Sequence, residues 1–456
     1  MRRSLGPLFL AVSVLVQACS MVFENFEEFV EQDSPVQFQT ETSEIFETDA
    51  APAQEEQETD SHHPSRDPGF DIWDLWQDGP HLRGANIYQR RVYPELDGPT
   101  FMGPGPVGPP YTLSDLQSLS AQGANLVNIS HPGLFTETPP YELDTSIQSN
   151  LDQLLDWALE ADLFVVIAFR TGPGRSEFTF LLEDLGDWFD STYLNDSVWE
   201  DAEAQAGWAA MWRYTAERYH GHPALAGYDL MVEPNVNEVL FDEWDQDIYE
   251  ELVAGTTADW NGFYPQIAAA IREVDPDTPI LVEPSGYGAV DWLPLLEPVP
   301  VERLVIAAHQ YAPYIYTNQS PYDSTLAYPG FFDTDWDDET DSFDSDWFDT
   351  MLLPMDSFKE EYGLPMAVNE YGAQRWTPGA AQFLDAEISE FEERGLNHAV
   401  WLWEVSYEEY AREVTEFQIR LGPDPDAVDE ITTSEILGVL QKYWANNTIR
   451  PSNASR

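Results

Sequence analysis

Two glutamates in this chain stand in matching surroundings. Glu233 follows Gly227-Tyr228-Asp229-Leu230-Met231-Val232 and precedes Pro234-Asn235, while Glu370 follows Met366-Ala367-Val368-Asn369 and precedes Tyr371-Gly372. A carboxylate placed where a buried strand opens to solvent can hold or release a proton beside a bound molecule. Two of them about 5–5.5 Å apart can break an acetal, one protonating the leaving oxygen while the other attacks the carbon. A lone glutamate after an apolar run is more often a structural salt bridge. Two at matched strand ends point to chemistry.

The elements that must position them follow from the hydropathy pattern. Short apolar runs at 82–87, 124–129, 163–169, 227–232, 279–282, 304–308, 365–368 and 398–403 have strand length. Helical stretches lie between most of them, at 113–122, 147–161, 199–219, 258–274, 343–362 and 380–394, with another at 434–444 after the last run. The fifth of these is the weakest by pattern. Near-continuous apolar strands alternating with crossovers predict an α/β protein, a (β/α)8 TIM barrel with both faces of its parallel sheet buried. A doubly wound sheet is the alternative, but Arg83-Gly84-Ala85-Asn86-Ile87 opens no GxGxxG phosphate loop. In a barrel, strand ends four and seven face each other across the C-terminal mouth, where barrel chemistry is built.

Further residues at predicted strand ends carry a family resemblance. These are Arg83-Gly84-Ala85-Asn86, the run Tyr228 to Pro234, His309-Gln310-Tyr311, Asn369-Glu370-Tyr371-Gly372 and Trp401. In this order the chain, over 81–444, resembles glycoside hydrolase family 5, the cellulase family of retaining barrel hydrolases. The resemblance implies a retaining hydrolase of β-linked glucan or mannan, with a poly- or oligosaccharide as substrate partner and no cofactor or metal. It also implies that Glu233 is the general acid/base and Glu370 the nucleophile. An acid must be protonated at working pH, so Glu233 should be pushed above the usual carboxyl range by Met231, Val232 and Pro234. Glu370 should stay ionised with help from Tyr311.

Several positions depart from the family pattern. Val232 stands where an Asn usually meets the sugar 2-hydroxyl, Asn128 where an Arg is common on strand two, and Arg170 where a His is common after strand three. Three readings stay open: Arg170 supplies the positive charge that Asn128 does not, the substrate lacks a recognised 2-hydroxyl, or the barrel binds carbohydrate without cleaving it. Exo-action on oligosaccharides is a further enzymatic alternative. Asn86, Asn128, His131, Arg170, His309, Tyr311, Trp401 and Trp403 are the candidate substrate-binding residues. His131 has a structural alternative as a loop histidine. Trp401 and Trp403 share a face by period two, for sugar stacking or as barrel-top core. Glu283, in Leu281-Val282-Glu283-Pro284, repeats the strand-four pattern and is a reserve acid/base; Asn237-Glu238 lies beyond its strand. The segment 311–352 is long and aromatic, so it is expected to wall the cleft. Its aspartates at 333, 335, 337, 338 and 341 lack the glycine of an EF-hand, and a solvated acidic loop is expected there.

Composition bounds where such a protein works. There are 83 acidic against 20 basic side chains, a net charge of -63, while 43% of residues are hydrophobic. The apolar content is enough for a folded core, so the charge lies outside it. Nucleic acid is excluded as a partner, and so is electrostatic docking on anionic lipid. Only Lys359 and Lys442 are lysines, leaving 18 of the 20 basic residues as arginine. An acidic, lysine-poor surface suits concentrated salt, where the Debye length falls to about 3 Å at 1 M; an acidic exported protein in ordinary medium is the alternative.

The N-terminus reads as an export signal over 1–18, with Arg2 and Arg3 before an apolar run at 8–16 that is short for a membrane span. Leu15-Val16-Gln17-Ala18-Cys19 resembles a bacterial lipobox, and Cys19 is the single cysteine. A lipid anchor at Cys19 would place the protein at the cell surface or outer membrane. Residues 19–69 read as an acidic tether, 70–447 as the catalytic domain and 448–456 as a tail, and a monomer is expected. Mass spectrometry of the mature N-terminus is expected to find diacylglyceryl-modified Cys19; an unmodified cysteine would overturn the anchor.

Overall fold

The computed structural model describes residues 69–454, so Cys19, the export signal and nearly all of the tether lie outside the described residues. Eight parallel strands close into a barrel: β1 (Arg83–Tyr88), β2 (Leu126–Pro132), β3 (Phe164–Thr171), β4 (Leu225–Asp229), β5 (Ile280–Val282), β6 (Leu304–Gln310), β7 (Met366–Tyr371) and β8 (Asn397–Val400). Each strand pairs with its sequence neighbours, and β1 closes the ring against β8 and β2, with Arg83 opposite His398 and Asn86 opposite Asn128. Two strands are shorter than the apolar pattern suggests. β4 stops at Asp229 and β8 at Val400, so Glu233 and Trp403 stand on loops beyond them.

The crossovers are helices α1 (Leu113–Ala121), α2 (Thr145–Glu160), α3 (Ala202–Tyr219), α4 (Trp260–Arg272), α5 (Leu353–Tyr362), α6 (Ala380–Arg394) and α7 (Glu435–Trp444). Between β5 and β6 only a 3-10 turn, Val290–Leu295, lies on the barrel. Asp144, Asp201 and Asp259 cap α2, α3 and α4 by accepting first-turn N–H groups.

Period-two alternation sorts the strand side chains. On β2, Val127 and Ile129 pack outward in the helix-facing core, while Leu126 joins an inner cluster with Leu82, Phe164, Leu281, Val305 and Ala367. Ile72, Leu75 and Trp76 close that inner cluster from below, and Trp76 donates its indole N–H to the Ala226 carbonyl at 3.0 Å. Gly84 is required where β1 meets β2, since a Cβ there would lie 1.8 Å from the Leu126 carbonyl oxygen. The described part of the C-terminal tail, 448–454, packs on this floor: Ala454 and Ile449 meet the inner cluster, and Arg450 donates to the Gly123 carbonyl. Its buried apolar groups outweigh its polar composition.

The loop after β6 also differs from expectation. Tyr316, Phe343 and Phe348 are buried against Phe383 of α6, joining the helix-facing core rather than lining the cleft. Asp333 and Asp341 accept backbone N–H groups of their own loop, closing its turns.

Two buried asparagines lock the lower rim, and one of them, Asn125, accepts from the Arg83 N–H and donates to the His81 carbonyl. Asn397 accepts from the backbone N–H groups of His81 and Leu82 and donates to the Leu75 carbonyl. Asn397→Ala strands these groups away from water and is expected to cost about 2–5 kcal/mol. A lowered urea midpoint at unchanged slope checks this.

Candidate active site

Above the apolar floor the inward positions turn polar: Asn86 on β1, Asn128 on β2, Asp229 on β4, Glu283 just past β5, His309 on β6, and Asn369 with Glu370 on β7. All are at most 5% exposed. A β-bulge lets two consecutive β7 side chains enter the barrel. Val368 pairs with Ala308 and Glu370 with His309, so Asn369 is the extra residue.

Glu233 and Glu370 converge on one imidazole. His309 Nδ1 lies 3.0 Å from Glu233 Oε1 and 3.5 Å from Glu370 Oε2. One oxygen from each carboxylate and a His309 ring nitrogen all fall within 4.8 Å of one another. Tyr311 donates its hydroxyl to Glu370 Oε2 at 3.1 Å. On the far side, His309 Nε2 lies 3.0 Å from Glu283 Oε1, an ion-pair contact off the line of a good hydrogen bond. The ring is thus wedged among three carboxylates.

The backbone of Glu233 is held in the left-handed region at φ 52°, where a residue with a Cβ is strained. Two buried charges grip it. Its N–H donates to Glu283 Oε2 at 2.7 Å, and its carbonyl accepts from the Arg175 guanidinium at 2.6 Å. Arg175 also donates to the Val232 carbonyl and to Asn235 Oδ1.

The electrostatics differ from the sequence-based expectation. Burial pushes Glu370 up to about 8; the Glu233 charge adds to this, while His309 and Arg170 oppose it. The Glu370 side chain is 3% exposed and that of Glu233 16%, so the heavier desolvation falls on the expected nucleophile. Burial acts against a charged His309, yet the charges of Glu283 and Glu370 hold it well above the usual histidine range. Burial likewise drives Asp229 far upward, keeping it protonated beside Glu283.

Several candidate substrate contacts have other work. Asn128 donates to Asn86 Oδ1 at 2.6 Å, and Asn86 donates to the Asn369 carbonyl at 2.8 Å. Both lie beneath the carboxylates and orient the β7 backbone. His131 points outward with Val127 and Ile129 by strand alternation. Its Nε2 meets Asn150 of α2 at 2.9 Å, and burial lowers it to about 4, so it is a neutral packing residue. Trp403 is 2% exposed and donates to the Asp115 carbonyl, because the strand ends before it and alternation no longer pairs it with Trp401. Arg170 reaches the cleft, but its guanidinium contacts Glu177 at 3.2 Å and stacks 3.9 Å over Phe180. Trp401, partly exposed, meets Tyr88 edge-on at 6.1 Å.

A cleft open to solvent adjoins the pair, lined by Tyr88, Arg170, Glu177, Trp401 and Glu404 and walled by the loop after β8 through Phe417. It does not contain the two glutamates. It abuts them through Arg170 and through Tyr311, whose ring packs on Phe417. Burial, aided by Glu416, pushes Glu404 up to about 8. The contribution of Arg175 has no sequence signal, since it sits in a Gly-Pro-Gly loop. Glu283 had one: it falls two residues after inward-facing Leu281.

A closed parallel (β/α)8 barrel with paired carboxylates at its C-terminal mouth is thus the class that fold and site define. The sequence signature of Cellulase (glycosyl hydrolase family 5) matches residues 96–406, and the chain belongs to that family. The match begins after β1, a narrower span than the resemblance from residue 81. The chain is 21% identical to Endoglucanase C of Acetivibrio thermocellus over 260 residues, covering 55% of this chain and 64% of that protein. It is 24% identical over 185 residues to a probable glucan 1,3-beta-glucosidase A of Aspergillus fumigatus, covering 40% and 38%. In fold it matches the endoglucanase Cel5A of Thermotoga maritima at a TM-score of 0.56 and 17% identity, covering 81% of this chain and 99% of that one. The Pseudomonas stutzeri endoglucanase Cel5A aligns at 0.53 and 19%, covering 85% and 98%.

The two tryptophans should separate by measurement. Trp401→Ala is expected to weaken binding of soluble cello-oligosaccharides about 2- to 10-fold, the loss of one aromatic face. Trp403→Phe is expected to leave that affinity unchanged and to lower stability by about 1–3 kcal/mol through the stranded Asp115 carbonyl. Calorimetric titration and chemical denaturation of both variants check the pair.

Proposed function

We propose that this protein hydrolyses β-linked glucan with retention of configuration, Glu370 acting as nucleophile and Glu233 as acid/base. The observation that carries this reading is the convergence of Glu233 and Glu370 on one imidazole at the barrel mouth, beside an open cleft lined by Tyr88 and Trp401. The Glu370 carboxylate attacks the anomeric carbon as the glycosidic C–O bond breaks, and Glu233 gives its proton to the departing oxygen. In the second half, Glu233 takes a proton from water, the water oxygen bonds to the anomeric carbon, and the Glu370 ester bond breaks. The endoglucanase relatives favour a β-1,4 linkage and internal cleavage. The glucosidase relative and the mannan-active reading make β-1,3-glucan and β-mannan the comparison substrates. Export and anchoring through Cys19 would bring the site to polymer that cannot enter a cell.

Reducing-end release from β-1,4-glucan is expected, with the β-anomer as first product by NMR. Glu233→Gln should lower the rate about 10²–10⁴-fold, the usual worth of a positioned acid/base, and Glu370→Gln should abolish turnover. Both variants matching the parent would refute the assignment. Binding without hydrolysis by the parent would favour a carbohydrate-binding barrel.

A further inference from the structure

The site lacks the strand-two cation that the family pattern leads one to expect, since Asn128 stands there and donates its amide to Asn86. Arg170, the expected substitute, is engaged by Glu177 and Phe180. Among the charges acting on Glu370, His309 outweighs Arg170. An imidazole this deeply buried is ordinarily neutral, because desolvation disfavours its charged form. Something must keep it charged.

One buried side chain touches His309, Asn369 and the Glu233 backbone together. Glu283 is fully buried. Its Oε2 accepts the Glu233 N–H at 2.7 Å, its Oε1 lies 3.0 Å from His309 Nε2, and Oε1 also accepts from Asn369 Nδ2 at 3.1 Å. Asn369 directly precedes Glu370 and donates to Asp229 Oδ2 at 2.5 Å as well. The space around Glu283 is fitted to it: a Cβ on Gly288 would lie 2.8 Å from Oε2.

We propose that Glu283 is a positioning residue: it fixes the strained backbone of Glu233 and keeps His309 protonated, so that the imidazolium supplies the positive charge the reacting pair lacks on strand two. This rests on Glu233 and Glu370 being that pair. Glu283 and His309 together are neutral, but they are oriented. The positive end faces Glu233 and Glu370, and the negative end faces away, toward Asp229 and Asn369. The groups facing His309 are therefore Glu233, Asp229, Glu283 and Glu370, with Tyr311 and Arg170 bearing on Glu370. Burial acts against the charge on Glu283, and His309 with the protonated Asp229 restores it.

The test uses the full chain. Imidazole ¹⁵N and ¹³C shifts of the parent should show His309 doubly protonated at pH 7, and those of Glu283→Gln should show it neutral. Without the imidazolium the pair holds its proton to higher pH, so the acid limb of kcat/KM in Glu283→Gln should move up by about one unit, tenfold in proton concentration. Glu283→Asp, which keeps the charge, should restore the limb at least partly. A neutral His309 in the parent overturns the proposal whatever the protein hydrolyses, because the spectroscopic arm needs no substrate. An unmoved acid limb in a folded Glu283→Gln protein that still turns over β-glucan also overturns it. Loss of the β-glucanase reading with His309 charged in the parent and neutral in Glu283→Gln would sustain Glu283 as the group that charges the ring.

Discussion

Burying several carboxylates within contact of one another is prohibitive unless a cation is buried with them, and in this barrel the cation is a histidine. Each isolated charge would cost several kcal/mol to take out of water. His309 reduces that cost for three glutamates at once, standing 3.0, 3.0 and 3.5 Å from Glu233, Glu283 and Glu370. Much of the upper barrel serves this contact. The β7 bulge brings Asn369 and Glu370 in together, Asn86 holds the Asn369 carbonyl, and Arg175 fixes the chain where it leaves β4. The apolar floor below excludes the water that would weaken all of these electrostatic terms.

What the sequence made legible is what alternation and strand ends carry. Period two places Asn86, Asn128 and His309 inside the barrel, and the same period places His131 outside, toward Asn150. Of the two readings open for His131, substrate contact and structural histidine, strand parity selects the second. The barrel order, the convergence of Glu233 with Glu370, and the Tyr311 contact to Glu370 agree with the expectation. Trp403 was misplaced because alternation was carried past Val400, where the strand ends. The bulge at Asn369 and the left-handed turn at Glu233 have no local sequence signature. Both arise from pairing and packing supplied by distant strands.

Composition also gains a second meaning. Arginine dominance was read as a surface property, yet many of the described arginines are interior. Arg90 pairs with buried Asp97, Arg170 with Glu177 and Arg420 with Asp115, while Arg175 reaches three backbone carbonyls and a side-chain amide. A planar, always charged fork can meet two acceptors at once where an ammonium would be a single hydrated point. Lysine is therefore disfavoured at these positions by geometry, independently of any solvent salt. Lys359 and Lys442 both sit on the outside, Lys359 on the Arg394 carbonyl and Lys442 on Asp385.

The placement of His309 fits both halves of the proposed double displacement. That reaction needs one negative charge on Glu370 and one proton on Glu233 at its start. With the glycosyl ester formed, Glu370 would be neutral and Glu233, having given up its proton, would carry the charge. The net charge of the pair is the same in both states, and only its location changes. A cation fixed against Glu370 alone would favour the first state and penalise the second. An imidazolium whose Nδ1 reaches both carboxylates can support each without moving. It must itself stay charged while the negative charge shifts between its neighbours. A third carboxylate, anchored by Asn369 and the Glu233 backbone and taking no part in bond making, meets that requirement. The strand-five glutamate is consistent with a site whose positive charge has moved from an arginine beside the nucleophile to a ring between the two reacting groups.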